Sequence, residues 1–363
     1  MNNLNFLAPI NNTTGYGITS TNILKSICKK QDIKPHIYPM GGVSVDGPQE
    51  KQWLESLIKG TVESEIDTQA PCFKIWHPHD LALRVGTAKY GALIFFELDT
   101  MKDLEKRSIN ALDVVFVASK WGKKVLEDNG ITTKIVVSPL AVDTEIFKDH
   151  ENPKHFTDDT FKFINIGKWE VRKGHDFLLE AFNKAFTKED NVQLFMINQN
   201  PFLSQQENQI WVDMYKQSNL GDKIVPIARV QTHVDLAKLI RDMDCGFFPA
   251  RAEGWNNEIL EVMALNKPII TTNYSAHTEY CTQDNAFLID VDELTVAEDG
   301  KFFNGEGKWA NLGEKQMEQT VEHLRKVYND NIKTNPNGLE TCKKYTWDNT
   351  ASIITREMFD ATT

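Results

Sequence analysis

The stretch from residue 251 to residue 264 carries glutamates around a loop that contains glycine and asparagine, between a predicted strand and a predicted helix. A loop glutamate can accept hydrogen bonds from sugar hydroxyls, and a helix glutamate can hold both hydroxyls of a ribose. Free N–H groups where the helix begins, near Asn256 or Asn257, favour a diphosphate. Glu258 is expected only to favour the helix N-terminus. The candidate binding residues are Glu253, Gly254, Trp255, Asn256, Asn257 and Glu261.

A second group of candidate residues is basic. The loop between another predicted strand and helix reads Gly167-Lys168-Trp169-Glu170-Val171-Arg172-Lys173-Gly174. Cations fixed in such a loop stabilise the negative charge that a departing diphosphate gains in the transition state. Basic loops are common in proteins, so this loop counts only together with the glutamates above.

Both groups of candidate residues need strands and helices to hold them in position. Apolar runs in the sequence indicate where those strands and helices lie. Strands are predicted at 4–8, 73–76, 93–96, 114–118, 135–137, 161–166, 192–197, 245–248, 269–272 and 287–289. Helical patterns separate several of them, including one near 52–58 and one over 177–186. Continuous apolar strands that alternate with helices indicate parallel sheets covered on both faces. The predicted fold class is therefore α/β, with two Rossmann-like, doubly wound domains.

Four short motifs follow one another along the chain. They read Ser138-Pro139-Leu140-Ala141-Val142-Asp143, the Gly167 to Gly174 loop, Glu253-Gly254-Trp255 with Glu261-Val262-Met263-Ala264, and Pro268-Ile269-Ile270-Thr271-Thr272. These motifs resemble those of the retaining glycosyltransferases of family 4 (glycosyl transferases group 1), including the pair of glutamates with seven residues between them. Ala141 replaces a usual glycine, and Lys168 replaces a usual arginine. The resemblance covers most of residues 110–290.

The resemblance implies a GT-B fold, in which two Rossmann-like domains face each other across a cleft and close on their substrates. It implies an N-terminal acceptor domain over 1–158, a nucleotide-sugar-binding domain over 159–346, and a helix in 347–363 that packs back on the first domain. The polar stretch 150–160 is predicted to be the linker. The implied reaction transfers a hexose from a UDP- or GDP-linked donor to a hydroxyl, with retention and without a metal or other cofactor.

The resemblance also assigns roles in the second half of the chain. Lys173 occupies the position of the family's diphosphate-binding lysine. Lys168 keeps the charge of the usual arginine but lacks the planar guanidinium, which can form two parallel hydrogen bonds to a phosphate. Arg172 could supply that guanidinium instead. The sequence does not decide between those two. Backbone groups of Val230 are placed to read a base edge, and Glu97, Lys173 and Glu253 are the candidate catalytic residues.

The first half offers weaker candidates. Gly15 and Gly17 stand where the family places a glycine loop under the donor phosphates. Glu97 and Asp99 replace a histidine found in many family members, and a carboxylate there could stabilise positive charge or position the acceptor. His77 and His79 have the spacing of metal ligands, but we expect a structural or acceptor-side role and no metal.

Composition limits the partners. The net charge of −11 argues against nucleic acid. Five widely spaced cysteines predict buried thiols rather than disulfides or a zinc site. No apolar run is long enough to span a membrane, and the N-terminus lacks the features of a signal peptide. We expect a cytoplasmic protein with a glycan, lipid-linked or small-molecule acceptor. The lysines around Trp121 (Lys120, Lys123 and Lys124) leave peripheral membrane contact open, although a solvated helix face is the favoured explanation.

Three other classes compete with the glycosyltransferase. A sugar-nucleotide epimerase or a phosphorylase uses the same fold. A non-catalytic sugar-nucleotide-binding protein would explain the departures at Ala141 and Lys168. A dinucleotide dehydrogenase is disfavoured, because no G-x-G-x-x-G follows either opening strand.

Overall fold

The computed structural model describes residues 2–148, 156, 158–227 and 229–360. These residues form two compact units. The first comprises Met1–Phe96, Thr100–Ala141 and Tyr345–Thr363, and the second comprises Glu97–Asp99 and Val142–Lys344. The main division thus falls between residues 141 and 142, earlier than the expected boundary at 158, and most of the predicted linker lies outside the described residues.

The first unit is a doubly wound α/β structure around a six-stranded parallel sheet with strand order β2-β1-β3-β4-β5-β6. Its elements up to the division are β1 Asn2–Ala8, α1 Gly15–Cys28, β2 Ile33–Pro39, α2 Gly47–Val62, β3 Cys72–Ile75, β4 Tyr90–Leu93, α3 Asp103–Asn110, β5 Val114–Val117, α4 Lys120–Asp128 and β6 Lys134–Val137. The strands β3, β4 and β5 are buried throughout. This continuous burial follows from helices covering both faces of the sheet.

The second unit repeats this plan with strand order β12-β11-β10-β7-β8-β9. Its elements are β7 Phe161–Ile166, α5 His175–Ala185, β8 Val192–Ile197, α6 Gln205–Lys216, β9 Ile224–Pro226, α7 His233–Arg241, β10 Cys245–Phe248, α8 Asn257–Ala264, β11 Ile269–Thr272, β12 Phe287–Ile289, β13 Leu294–Glu298, β14 Asn304–Ala310, α9 Glu314–Asn329 and α10 Pro336–Cys342. Short 3₁₀ turns lie at Gly221–Lys223 and Ser275–Glu279. The prediction of two doubly wound α/β domains is confirmed.

The last helix, α11 (Trp347–Phe359), packs in the first unit. It contacts α1, and Thr350 donates a hydrogen bond of 2.6 Å from Oγ1 to the Pro139 carbonyl. Lys134 forms an ion pair of 2.6 Å with Glu357. The chain therefore returns to its first unit after completing the second.

Several predicted boundaries are wrong in detail. The strand expected at 93–96 is β4, which ends at Leu93. The first residues of β4 are not predicted as strand because they include Gly91, and glycine is atypical of strands. A Cβ at Gly91 would lie 2.6 Å from the Met358 sulfur, so glycine leaves room there for α11. The helix near 52–58 extends over the whole of α2, and the helix over 177–186 is α5, which begins two residues earlier.

Four strands have no counterpart in the sequence prediction: β2, β9, β13 and β14. Both β2 and β9 contain proline and lie at sheet edges, where proline is tolerated because an edge strand lacks a partner on one side. The strands β13 and β14 form a separate antiparallel hairpin. Trp309 of this hairpin is buried against Ala252 and Ala297.

Candidate functional site

Two loops meet at the carboxyl edge of the second sheet. The loop 167–174 follows β7, and the loop 249–256 follows the neighbouring strand β10. The chain leaves β7 for β8 on one side and reaches β10 on the other. Ligands of open α/β sheets bind at such a change of direction, outside the carboxyl ends of the strands.

Four ionised side chains join these loops, and we call them the charge cluster: Glu170, Arg172, Lys173 and Glu253. The Arg172 guanidinium lies 2.8 Å from carboxylate oxygens of both Glu170 and Glu253. It also donates a hydrogen bond of 2.7 Å to the Ala252 carbonyl. Lys173 Nζ lies 2.7 Å from the other oxygen of Glu253. All four side chains are buried. Pairing within the cluster, together with the Lys168–Glu170 and Lys173–Glu258 pairs at its edge, offsets the cost of burying their charges.

Mutual attraction keeps the cluster ionised in spite of burial. Burial alone would raise the pKa of Glu253, but Arg172 and Lys173 hold it well below its ordinary value. Burial opposes the charge of Lys173, yet Glu253 raises the pKa of this ammonium. Burial also opposes the charge of Glu170, and Arg172 and Lys168 lower the pKa of that carboxyl. The two loops therefore carry fixed charges at neutral pH.

Lys168 and Arg172 differ in their surroundings. The Arg172 side chain is 5% exposed and is held from two sides by carboxylates. The Lys168 side chain is 39% exposed, pairs with Glu170 at 2.8 Å and lies 5.0 Å from the centre of the Phe202 ring. Lys168 can thus reach a ligand by leaving one carboxylate, whereas Arg172 would have to leave two.

The start of α8 is shaped by an unusual backbone. Asn256 adopts the left-handed conformation, with φ of 81°, and no side chain caps the helix. The Tyr280 hydroxyl donates to the carbonyls of Trp255 and Asn256, at 2.7 and 3.0 Å. The Asn256 amide donates to His277 Nε2 at 3.0 Å. These contacts fix the helix start near Asn256, as predicted, and leave its first N–H groups without a side-chain acceptor.

Glu261, in the middle of α8, is 6% exposed. No side chain or backbone group among the described residues donates a hydrogen bond to its carboxylate. Burial raises its pKa to about 7, while His233 lowers this pKa and Glu258 raises it. A buried carboxylate without donors is costly, and hydroxyl groups of a ligand would relieve this cost.

A buried polar network supports the loop after β7, and the sequence analysis missed it. His175 Nδ1 accepts a hydrogen bond from the Glu170 amide at 3.1 Å, and Nε2 donates to Asn165 at 3.0 Å. Asn198 donates to the same Asn165 oxygen at 2.7 Å. Burial lowers the pKa of His175 to about 3, so the ring stays neutral. His175 lies two residues before the predicted helix over 177–186, and nothing in the sequence marks it as a buried support.

Gly174 gives a prediction about this loop. Its φ is 72°, and a Cβ there would lie 2.0 Å from the Pro249 carbonyl oxygen, which belongs to the other loop. Gly174→Ala is expected to destabilise the protein by about 2–4 kcal/mol, because strain and overlap add. Gly300→Ala, at φ of 70° with no atom within 4 Å, is the matched control and should cost only about 1–2 kcal/mol. Denaturant unfolding measures both. Equal losses would show that the Pro249 contact is not costly.

Glu97 and Asp99 group with the second unit. Glu97 is half-buried, and burial raises its pKa while Arg172 opposes the rise. Asp99 accepts a hydrogen bond of 2.7 Å from the Lys308 amide, so it is held by the β13–β14 hairpin. Val230 follows β9, beyond Ala228, which lies outside the described residues.

The first-unit candidates lie around the start of α1 and the end of β3. The Gly17 N–H donates to Thr14 Oγ1 at 3.2 Å, and a Cβ at Gly17 would lie 2.3 Å from the Asn11 carbonyl oxygen. A phosphate at Gly17 would thus compete with the Thr14 hydroxyl, and close packing against Asn11 requires glycine there. Gly15 is exposed, with open space around it. His77 and His79 are exposed and stack on each other with ring centres 5.4 Å apart.

The other surface candidates behave as ordinary structure. Lys123 and Lys124 form ion pairs with Glu127 and Asp128, one turn further along α4. The five cysteines are free thiols. Within the described ranges, no helix is both long and apolar enough to cross a bilayer. The same ranges contain no group of three or more histidine, cysteine, aspartate or glutamate side chains that could hold a metal ion.

Comparison with known proteins supports a glycosyltransferase. A family model described as glycosyl transferases group 1 matches residues 160–299, which include both loops and Glu261. An uncharacterized glycosyltransferase of Methanocaldococcus jannaschii is 22% identical over 255 residues, which are 64% of this chain and 60% of that protein. The capsular polysaccharide biosynthesis glycosyltransferase CapM of Staphylococcus aureus is 25% identical over 297 residues, 76% of this chain and 74% of CapM.

Solved structures agree on the fold. The structure of Anabaena HepE in complex with UDP and glucose aligns with a TM-score of 0.67 at 12% identity and covers 99% of each chain. At this identity the likeness shows the fold alone. The two Rossmann-like units of this chain are therefore those of the GT-B fold.

Proposed function

We propose that this chain is a retaining glycosyltransferase of family 4 that moves a hexose from a UDP- or GDP-linked donor to an acceptor hydroxyl. The charge cluster at the carboxyl edge of the second sheet is the observation that carries this proposal. Burying four ionised groups carries a desolvation penalty that pairing offsets only in part, so a merely structural role would be filled at lower cost by apolar side chains. Glu253 belongs to the loop that leads into the uncapped start of α8, and the same helix carries the buried carboxylate of Glu261. A helix start of this kind suits a diphosphate, and carboxylates suit the hydroxyls of a sugar.

The donor would use groups from both loops. Lys168, Lys173 and the first N–H groups of α8 would hold the diphosphate, while Arg172 holds Glu253 in place. Glu253 would accept hydrogen bonds from the hexose, and Glu261 from the ribose. The backbone of Gly254, Trp255, Asn256 and Asn257 would line this site, and Val230 would face the base.

The reaction would exchange one bond at the anomeric carbon for another. The bond from that carbon to the diphosphate oxygen breaks, and a bond to the acceptor oxygen forms on the same face. The acceptor proton passes to the leaving diphosphate. Lys173 and Lys168 stabilise the charge that this diphosphate gains. Glu97 would stabilise positive charge on the sugar or position the acceptor hydroxyl.

The other expectations belong to this proposal. The reaction needs neither a metal nor another cofactor, and the protein acts in the cytoplasm or at the inner face of a membrane. The acceptor is a glycan, a lipid-linked molecule or a small molecule.

Because the proposed reaction needs no metal, a chelator added to the assay should leave the rate unchanged. A rate restored by one divalent cation would contradict the metal-independent mechanism.

The first experiment is calorimetry with UDP, GDP, UDP-glucose and GDP-mannose, together with a measurement of donor hydrolysis. One base should bind, and its nucleotide sugar should release the nucleoside diphosphate slowly in water. Binding with neither hydrolysis nor transfer would favour the non-catalytic protein. An altered sugar that stays on the nucleotide would reveal an epimerase. No binding to any of the four would overturn the proposed donor class.

Glu261 makes donor binding depend on pH. The ionised carboxylate accepts two ribose hydroxyls, whereas the protonated form loses acceptor capacity. With a pKa of about 7 in the free protein, affinity should rise with pH and be about tenfold weaker at pH 6 than at pH 8, because only the ionised fraction binds well. A nucleotide sugar is the right ligand, since its phosphates do not titrate in this range. Glu261→Gln should remove the dependence, and an unchanged pH profile in that variant would place Glu261 outside the site.

A further inference from the structure

A short turn after β11 holds the loop that leads into α8. We call it the 275–280 turn, and its first five residues form a 3₁₀ turn. The Glu253 N–H donates a hydrogen bond to Ser275 Oγ at 2.9 Å, and the Glu253 carbonyl accepts one from the Ala276 N–H at 3.2 Å. Both backbone polar groups of this candidate catalytic glutamate are therefore bound to the turn.

Asn256 is held by two side chains of the same turn. The Asn256 amide nitrogen donates to His277 Nε2 at 3.0 Å, and the Asn256 carbonyl accepts from the Tyr280 hydroxyl at 3.0 Å. The Oδ1 atom of Asn256 is buried and has no hydrogen-bond partner among the described residues. Within that part of the chain, the Asn256 side chain therefore depends on His277 for its hydrogen bonding.

Strained backbone lies on both sides of this contact. Among the described residues, four non-glycine residues have positive φ, and Asn256 (81°) and Ser275 (55°) are two of them. This conformation is costly for a residue with a Cβ, and it persists only where surrounding contacts hold it. Positions of this kind cluster at binding sites. The strain thus indicates a backbone shaped for a ligand.

The surroundings of His277 determine which of its nitrogens carries the proton. The imidazole is fully buried, and burial lowers its pKa to about 4, so the ring is neutral at pH 7. Nδ1 lies 3.2 Å from the Thr272 carbonyl oxygen, which can only accept. Nδ1 therefore carries the proton, and Nε2 is left as the acceptor for the Asn256 amide. One rigid ring thus connects β11 to the start of α8.

We propose that His277 is a positioning residue for the donor diphosphate: by holding Asn256 in its left-handed conformation, it directs the first N–H groups of α8 towards that diphosphate. This inference rests on the proposed function. Asn256 is the last residue before the helix, so its φ sets the direction of the N–H groups that follow it. Without His277, the Asn256 amide would lose its hydrogen bond and the strained backbone would relax.

A role in packing alone explains less of this arrangement. An apolar side chain at position 277 would fill the space without burying an imidazole. A glycine at position 256 would adopt the left-handed conformation without strain and without a hydrogen-bonding partner. The chain instead uses a strained asparagine and a buried histidine, each of which restricts the other. This pair fixes the helix start before a ligand arrives, which lowers the entropy lost on binding.

Calorimetry of the full chain with inorganic pyrophosphate tests the proposal. His277→Phe keeps a buried ring but removes the acceptor, and it should weaken pyrophosphate binding about tenfold. His277→Gln, whose side-chain oxygen can accept from the Asn256 amide, should restore most of the affinity. In an Asn256→Gly background, where glycine is left-handed without help, His277→Phe should cause no further loss. A general loss of structure would not be restored in this way.

His323→Phe is the matched control. His323 is a half-buried histidine of α9, and its Nε2 bonds the Leu288 carbonyl at 2.9 Å. This variant should leave pyrophosphate affinity unchanged. If His277→Phe does not fold, Tyr280→Phe carries the test, because it keeps the ring and removes only the hydroxyl that bonds the loop. It should weaken pyrophosphate about three- to tenfold.

Equal pyrophosphate binding by the wild-type chain and His277→Phe would overturn the proposal, as would an equal loss in His277→Gln or no binding by the wild type. Calorimetry with UDP and GDP on the same wild-type sample separates the two proposals. Pyrophosphate binding that depends on His277, without binding of UDP or GDP, would keep the positioning role and reject the proposed donor class. UDP or GDP binding that does not depend on His277 would keep the donor class and reject the positioning role.

Discussion

Lys173→Ala is expected to slow the release of nucleoside diphosphate from the nucleotide sugar by about 10²–10³-fold, the usual effect of removing one preorganised charge from a transition state. Lys173 is buried and its ammonium is fixed 2.7 Å from Glu253. It is therefore in place before the leaving group gains charge. Affinity for the free nucleoside, which has no phosphate, should hardly change. Initial rates and calorimetry on the same preparation measure the two quantities.

The control for Lys173 is another lysine of the same unit. Lys184 lies on α5, is about half-exposed and pairs with Glu180. Lys184→Ala should change neither the rate nor the affinity. If Lys173→Ala weakened nucleoside binding as much as it slowed the reaction, the lysine would act in ground-state binding only.

Arg172→Met is expected to destabilise the folded chain by about 3–5 kcal/mol, because two buried carboxylates lose their shared cation. For a unit of this size that corresponds to a fall in melting temperature of roughly 6 °C or more. The effect should shrink in acid. In the wild type, the lowered pKa of Glu253 contributes stability above the unfolded pKa of about 4.5, and this contribution is lost as the pH falls. In the variant, protonation also removes the carboxylate charge that Arg172 no longer balances, so the stabilities of the two proteins converge at low pH.

Arg325→Met is the matched control for the arginine. Arg325 pairs with Asp190 at 2.8 Å, but its side chain is 35% exposed. Its loss should cost about 1 kcal/mol or less. Denaturant unfolding of both variants at pH 7 and at pH 4 gives the comparison. Similar losses for the two arginines would mean that the charge cluster adds little to stability.

Much of the fold follows from local pattern. The strands β7, β8, β10, β11 and β12 are short, mostly apolar runs, and their predicted bounds match the structure. Where the local pattern gave the wrong strand bounds or missed a strand, packing between residues remote in sequence determines the structure. Gly91 is favoured by Met358, which is remote in sequence, and the prolines of β2 are tolerated because that strand lies at the sheet edge.

The candidate site was predictable to the level of its loops. Residue types, spacing and the family resemblance selected Glu253, Glu261 and the basic loop as candidates, and the structure brings Lys173 and Arg172 to Glu253. Spacing does not show whether Lys168 or Arg172 is the buried cation, because burial depends on how the two loops pack together. The support from His175 was equally hidden, since a neutral buried histidine resembles an ordinary surface histidine in sequence.

The mutual dependence of Glu170, Arg172, Lys173 and Glu253 also bears on how this sequence changes over generations. A substitution at any one of them leaves an opposite charge buried, so the variant suffers before a second change restores balance. Single substitutions at these four positions are therefore expected to be selected against. Homologous chains should therefore keep all four residues or replace them in charge-compensated pairs. A lineage that lost the activity would still retain the charge cluster for a long time, because its loss destabilises the fold.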